Sequence, residues 1–497
     1  MRHVSFLFIL TTFSSAAFGA TWYVENSETG AGFGGSVSAL SDVNGDGVAD
    51  LAVGAPSEDG PGVVDSGRVH ILDGATGNLL SVLDSPNPET AGFFGGSVAR
   101  VADMTGDGID DLVVGACQED GGGMADAGRA YLYDPATGQL LRTIESPSPE
   151  LGGRFGYSVA GLEDVTGDGL GDVLIGAPDE DGGGLADAGR AYVFSGATGT
   201  LLHTLTSPSA EAGGGFGTSL AETADLTADG ISDVLIGAPY EDGAALTDAG
   251  RAHLFDGSNG SWVRTLESPN PEVGGAFGLS LSDVPDLNNT GVDDLVVGAP
   301  DEDGAGVSDS GRVYVFEDVT GALIHTLVSQ NAEVGGAFGS SVFGIADMNA
   351  DTLGEVIVGA RAEDAGGVAD SGQVYILDGV DGHALRAVSS THKGANGFFG
   401  SSVSFSPDTD DDGVAVMLVG APGGAQAHAM EFTLRSPIEL PSQTLEPESG
   451  FGRAVSAVPD VNGDGVADLV VGAWHANYGA GDPNVDGTGR AYVFDGL

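Results

Sequence analysis

The chain has 497 residues, 41% of them hydrophobic, and a net charge of −57 from 73 acidic against 16 basic residues. So acidic a polymer repels phosphate backbones and anionic lipid, which argues against nucleic acid and membrane surfaces as partners. Cys117 is the only cysteine, so no internal disulfide can form and packing or bound metal must hold the fold.

At the N-terminus, Arg2 and His3 precede a short apolar run, Val4 to Leu10, and then small and polar residues as far as Ala20. This order predicts a secretory signal peptide over residues 1–20, with cleavage near Gly19 or Ala20. The alternative is an N-terminal anchor that stays attached. The run is too short to span a bilayer, and no later stretch has the length of a membrane span. A soluble mature chain, secreted or at the cell surface, is expected.

From there a repeat takes over. Phe-Gly recurs at Phe33, Phe94, Phe155, Phe216, Phe277, Phe338 and Phe399 with a constant step of 61, and again at Phe451 after 52. Each unit reads as four short strands bounded by Gly, Pro, Asn and Asp: in the first, Ser36 to Leu40 (A), Asp50 to Val53 (B), Arg68 to Leu72 (C) and Leu80 to Leu83 (D). No segment of comparable length has a helical period. Four antiparallel strands in about sixty residues, repeated without helices, predict an all-β fold. The expected architecture is an eight-bladed β-propeller filling residues 21–497 as one domain, with a seven-bladed ring or a β-sandwich array as alternatives. Repeat eight stops after its C strand, Arg490 to Phe494, while Trp22 to Ser27 aligns with the D strand of repeat one. The N-terminal strand is therefore expected to complete the last blade and close the ring.

Between strands A and B, repeat one reads Asp42-Val43-Asn44-Gly45-Asp46-Gly47-Val48-Ala49-Asp50. Asp42, Asn44, Asp46 and Asp50 place oxygens at loop positions one, three, five and nine, and the Val48 carbonyl can add another. Calcium takes six to eight oxygens at flexible geometry, which suits this pattern better than the hydrated octahedron of magnesium. Zinc would call for His or Cys. The set recurs as Asp103/Thr105/Asp107/Asp111, Asp164/Thr166/Asp168/Asp172, Asp225/Thr227/Asp229/Asp233 and Asp460/Asn462/Asp464/Asp468. Repeat six carries Asp347, Asn349, Asp351 and Glu355, with Thr352 replacing the glycine. Six calcium sites are expected. Repeat five (Asp286, Asn288, Asp294, with Thr290 at the fifth position) and repeat seven (Asp408, Asp410, Asp412, with Val416 at the ninth) are left open.

Phe33-Gly34, the acidic loop and Leu51-Ala52-Val53-Gly54-Ala55-Pro56 together resemble the FG-GAP repeat of integrin alpha subunits. Gly-Ala-Pro recurs at Gly176, Gly237, Gly298 and Gly420, and in altered form at Gly115, Gly359 and Gly472; at Gly115 it ends in Cys117, a small apolar filler where most repeats have proline. The resemblance implies a calcium-stabilised propeller acting in extracellular recognition, with calcium loops on one face and ligand contacts on the other. Integrin propellers have seven blades and further domains, so pairing with a beta subunit and signalling do not transfer.

The B–C loops carry Glu58-Asp59 and Asp65, repeated as Glu119-Asp120 and Asp126 and onward, each leading into Gly-Arg. The favoured reading is an Asp–Arg pair locking each loop, plus solvated acids; the other is a second cation or basic-partner surface. The last connection, Trp474-His475-Ala476-Asn477-Tyr478, is the most aromatic. Trp474, His475 and Tyr478 are candidate ligand contacts, or else seals at the closing blade. His70, His253, His203 and His325 fall in strands as blade filler, and no nucleophile elbow or P-loop is present. Recognition of an extracellular protein by a monomeric propeller is thus the expected role, a glycan ligand is the alternative, and an enzyme with a central-channel site is least favoured.

Overall fold

In the computed structural model the described residues are 22–25, 36–45, 50–73, 78–288, 290–317, 320–345, 347, 351, 353–389, 398 and 400, followed by the backbone of six later strands. The residues expected to form a leader, 1–20, lie outside them.

The described residues are all-β, and within each sheet the named strands pair antiparallel. Repeat one forms Val37–Ala39, Leu51–Ala55, Arg68–Leu72 and Leu79–Asp84, hydrogen-bonded in that order. Repeat two forms Phe94–Val101, Asp111–Ala116, Arg129–Asp134 and Gln139–Glu145 in the same order. The next four repeats follow suit, giving six four-stranded sheets of consecutive strands. The described strands of repeat seven, Val403–Ser406, Ala415–Ala421 and Gln426–Phe432, form a three-stranded sheet. In the last sheet Phe451–Val458, Asp468–Ala473 and Arg490–Phe494 are joined by Trp22–Glu25, with Trp22 opposite Val493 and Glu25 opposite Arg490.

The core lies between sheets rather than within one. Leu40, Val69, Ile71 and Leu83 of the first repeat pack with Phe94, Leu112, Val114 and Tyr131 of the second. The intervening residue Val113 faces the other way and packs with Phe155, Val173 and Ile175 of the third. Period-2 alternation thus gives each sheet two apolar faces, each covered by a neighbour. This explains why strands such as Asp111–Ala116 and Asp172–Ala177 are buried at every position. No sheet could bury its faces alone. Such serial packing of four-stranded sheets is that of propeller blades.

The Phe-Gly motif forms the joint. Phe94, Phe155, Phe216, Phe277 and Phe338 are fully buried. Each bridges back to the glycine before strand C of the preceding repeat, as Phe94 does to Gly67. The following glycine has positive φ (Gly278, +92°), and its carbonyl accepts a hydrogen bond from a serine of the preceding sheet (Ser219 Oγ to Gly278 O, 2.7 Å). Beneath that carbonyl lies the glycine of Gly-Ala-Pro: a Cβ on Gly237 would stand 2.1 Å from both Gly278 O and Ser219 Oγ. Gly237→Ala is therefore expected to destabilise the protein by about 1–3 kcal/mol through overpacking, read as a lowered midpoint in denaturant titration.

Candidate functional site

The A–B loops are shaped by their own acids. In repeat two the Asp103 carboxylate accepts backbone N–H bonds from Thr105 (3.0 Å), Gly106 (2.6 Å), Asp107 (3.3 Å) and Gly108 (2.6 Å). Asp107 caps Ile109 N–H at 2.9 Å, and Asp111 accepts from Met104 N–H at 2.6 Å. Repeat three repeats this through Asp164, Thr166, Asp168 and Asp172. Repeat four does so through Asp225, Thr227, Asp229 and Asp233. Against a burial penalty, the Gly108 and Gly106 N–H groups hold Asp103 below the usual carboxylate range, so it is ionised. The ninth-position acid behaves oppositely. Asp111 is buried, and burial pushes its pKa up to about 7, with repulsion from Asp134, Asp103 and Asp107 adding to the rise. Burial likewise raises Asp172 and Asp233 to about 6. Each loop therefore gathers carboxylates that repel one another, and a divalent cation among them would relieve that repulsion.

Repeat six brings Asp347, Asp351 and Glu355 together, with one oxygen of each within 4.8 Å of the others. Two oxygens bound to one calcium at about 2.5 Å can be up to about 5 Å apart, so this spacing fits a shared ion. In repeat five the Asn288 amide donates to Asp294 at 2.9 Å while Asp286 caps Thr290 and Gly291. That loop partly satisfies its own ninth-position acid. In repeat one Asn44 N–H and Val43 N–H bond Asp50, and Asp42 caps Gly45. Asp46, Val48, Asn349, Asp408, Asp410, Asp412, Asp460, Asn462, Asp464, Trp474, His475 and Tyr478 lie outside the described residues; Asp468 opens the strand Asp468–Ala473.

At the opposite edge the B–C loops differ from expectation. The arginine's carboxylate partner there is the buried glutamate, not an aspartate. Glu119, Glu180, Glu241, Glu302 and Glu363 are fully buried, and Glu58 nearly so. Each lies against an aromatic of strand C: Tyr131, Tyr192, Tyr314 (2.5 Å), Tyr375 (2.5 Å), or a histidine in the same place, His70 (2.6 Å) and His253 (3.0 Å). Ser85 of the preceding repeat also donates to Glu119, so the unit pins two sheets together. The aspartates instead hold backbone: Asp65 N–H, at φ +52°, donates to Asp59 at 2.8 Å, and the same bond recurs to Asp364 from Asp370. Cys117 is buried with its thiol pushed up to about 11 by burial, in keeping with a filler role.

Two further residues were not singled out by sequence. Tyr157 and Tyr240 are exposed at the mouth of a cavity of about 410 Å³ between repeats three and four, lined also by Arg154, Asp179 and Thr218. Arg154 pairs with Asp179 and stacks over Tyr157 at 5.2 Å. The signal was a break in the repeat, since Gly96 and Thr218 match Tyr157, and Gln118 and Asp179 match Tyr240. Among the described residues no helix is long and apolar enough to cross a membrane.

Comparison with known proteins agrees with this geometry. The FG-GAP repeat model matches residues 33–72, 94–133, 155–194, 216–255 and 451–494. Repeats five to seven, where the acidic loops drift, are not among these matches. The chain is 34% identical over 209 residues to integrin alpha-PS5 of Drosophila melanogaster, covering 40% of this chain and 20% of that protein. It is 35% identical over 231 residues to human integrin alpha-IIb, covering 44% and 21%. It is 31% identical over 243 residues to integrin alpha-4 of Xenopus laevis, covering 47% and 22%. The matched part thus spans about a fifth of each relative.

Burial pushes Glu119, Glu180, Glu302 and Glu363 up to about 7 from an ordinary 4.5. The fold favours their neutral forms, so this stabilisation is complete below pH 4.5 and lost as pH rises through about 7. In chelator, stability is expected to fall between about pH 5 and pH 8, by on the order of 2 kcal/mol per glutamate, and the melting temperature with it. Glu302→Gln should flatten the profile; a pH series of thermal melts checks both.

Proposed function

Because the chain belongs to the integrin alpha-like FG-GAP repeat family, we propose that it is an exported, calcium-stabilised, eight-bladed propeller that binds a protein ligand outside the cell. The observation that carries this reading is the recurrence, sheet after sheet, of an acidic loop closed on its own backbone at one edge. Pairing of Trp22–Glu25 with Arg490–Phe494 supports a ring joined at its ends, with residues 21–497 as one domain after a leader over 1–20.

The donor chemistry supports calcium at the A–B loops. Asp103, Thr105, Asp107 and Asp111 would hold an ion in repeat two, and Asp347, Asp351 and Glu355 in repeat six. The ion would supply the positive charge that the buried ninth-position acid lacks. Its place is structural, away from the edge that carries the tyrosine-lined cavity. That cavity supports recognition: two exposed tyrosines and an oriented Arg154–Asp179 pair combine apolar faces with hydrogen-bonding groups. The same tyrosine faces suit a sugar ring, so a glycan ligand is the second reading. The family supports binding rather than catalysis.

Calcium at 100 times its dissociation constant would stabilise by about 2.7 kcal/mol per site. Chelation should therefore lower the melting temperature, and Asp351→Asn should reduce the calcium bound at saturation by one ion in equilibrium dialysis. A melt unchanged by excess chelator would overturn the structural role. For the ligand, Tyr157→Ala with Tyr240→Ala is expected to abolish capture of a cell-surface protein while leaving the melt intact. Retained protein capture would overturn the cleft assignment, and loss confined to a glycan array would favour the second reading.

A further inference from the structure

Five successive repeats begin strand C with an arginine, Arg68, Arg129, Arg190, Arg251 and Arg312, and the sixth begins with Gln373. The register is unchanged: Gln373 lies opposite Ala360 as Arg312 lies opposite Ala299. In the five, Nη1 of the guanidinium stands 3.1–3.6 Å from a buried glutamate carboxylate. Arg312 displays a full set of partners. Its Nη1 donates to Asn270 O, Glu272 Oε1 and Glu302 Oε2, each at 3.3 Å, and its Nη2 donates to Asp303 O.

One repeat further on, every one of these residue types recurs, as Asn331, Glu333, Glu363 and Asp364. The guanidinium does not. The Gln373 side chain meets Tyr375 Oη at 2.9 Å, and a cavity of about 420 Å³ opens between Asn331, Asp364, Gln373 and Tyr375. Gln330 and Asn331 at its mouth are exposed. Behind Tyr375, Glu363 is fully buried, and its Oε1 has no hydrogen-bond partner, as in Glu180, Glu241 and Glu302; what those three have and Glu363 lacks is the arginine at Oε2. Among the described residues no cationic group pairs with it.

We propose that this cavity is a guanidinium socket, which takes an arginine side chain from a protein ligand in the place where the repeat's own arginine is missing. The counterparts of the four Arg312 acceptors are the Asn331 and Asp364 main-chain carbonyls and the Glu333 and Glu363 carboxylates, a set that suits a planar fork of five N–H donors and not the point charge of an ammonium group. An incoming guanidinium would favour the ionised form of Glu363, which a neutral isostere would not, so charge and shape are both selected. As a contact for a protein ligand the socket rests on the recognition role above, but its own test uses small probes and stands apart from that role.

The test is isothermal titration of the full chain in calcium with N-acetyl-arginine amide, N-acetyl-lysine amide and N-acetyl-citrulline amide. The arginine derivative is expected to bind at least tenfold more tightly than the other two. Gln373→Arg should fill the socket, weaken that binding at least tenfold and raise the melting temperature. Glu363→Gln, checked for an unchanged circular dichroism spectrum, should weaken it similarly. Absence of binding, equal affinity for the three probes, or binding unaltered in Gln373→Arg would overturn the proposal. Capped Ala-Arg-Ala should bind at least as well as free arginine. Free arginine binding tenfold more tightly would overturn a protein side chain as the source.

Discussion

Neighbouring sheets touch backbone to backbone, and the rest of the molecule depends on that contact. The glycine of Gly-Ala-Pro in one repeat faces the carbonyl of the Phe-Gly glycine in the next. A Cβ at Gly54, Gly115, Gly176, Gly237, Gly298 or Gly359 would fall 2.0–2.3 Å from that oxygen. Only glycine permits the approach. The approach in turn sets how far each phenylalanine enters the gap, where its ring meets the strand-C tyrosine at 5.5–5.7 Å in repeats two, three, five and six. Two motifs that look unrelated along the chain are halves of one joint. Because the joint is the same at each boundary, the A–B loops all hang from one edge and the B–C loops from the other.

The same geometry sorts the acids into two kinds. At the A–B edge of repeats two to four the first carboxylate is ordered by backbone N–H groups, and the ninth is buried where its charge is unfavourable. Those loops have a deficit of positive charge. At the B–C edge the buried glutamates find tyrosine, serine and arginine in the protein itself. Glu58 stands apart: despite burial, contacts with both His70 and Arg68 hold it below the usual carboxylate range, whereas Glu119, Glu180 and Glu302, with an arginine and a tyrosine, and Glu363, with a tyrosine but no arginine, are raised. A net charge of −57 is therefore not spread evenly over a solvated surface.

The strands, their order and the acidic loops were legible because each is local. A period of two over five residues marks a strand, and Asp-x-Asn-Gly-Asp carries its own turn. Strand edges moved by a residue or two: the first strand spans Val37–Ala39 rather than Ser36 to Leu40, while Arg68–Leu72 matched. The B–C loops were harder because their partners come from three places. Glu119 is buried by Tyr131 of its own sheet and Ser85 of the preceding one, so Glu and Asp look alike in sequence and diverge in space. The Asp–Arg pair expected of these loops does not form at Arg312, whose Nη2 takes the main-chain carbonyl of Asp303 and whose Nη1 reaches the Glu302 carboxylate. Tyr157 and Tyr240 lie in different repeats and meet only across a sheet boundary. Sequence reasoning sought departures from the repeat in the Trp474 segment and passed over these.

A set of equivalent loops has no preferred direction, so recognition must come from the positions that differ. Those positions are not free to fall anywhere. At the A–B edge, replacing an acid removes the acceptor that holds the turn, as the bonds from Gly106 and Gly108 to Asp103 illustrate. At the other edge the residue after Gly-Ala-Pro makes no such bond, and it changes from Gln118 to Asp179 to Tyr240 while the strand beneath stays buried. The arginine position is an intermediate case, since Gln373 keeps the register and the tyrosine contact and gives up only the charge. Variation therefore concentrates at the edge where the backbone is held by glycines and glutamates rather than by the varying side chains. That edge can acquire a ligand without loosening the joints between sheets.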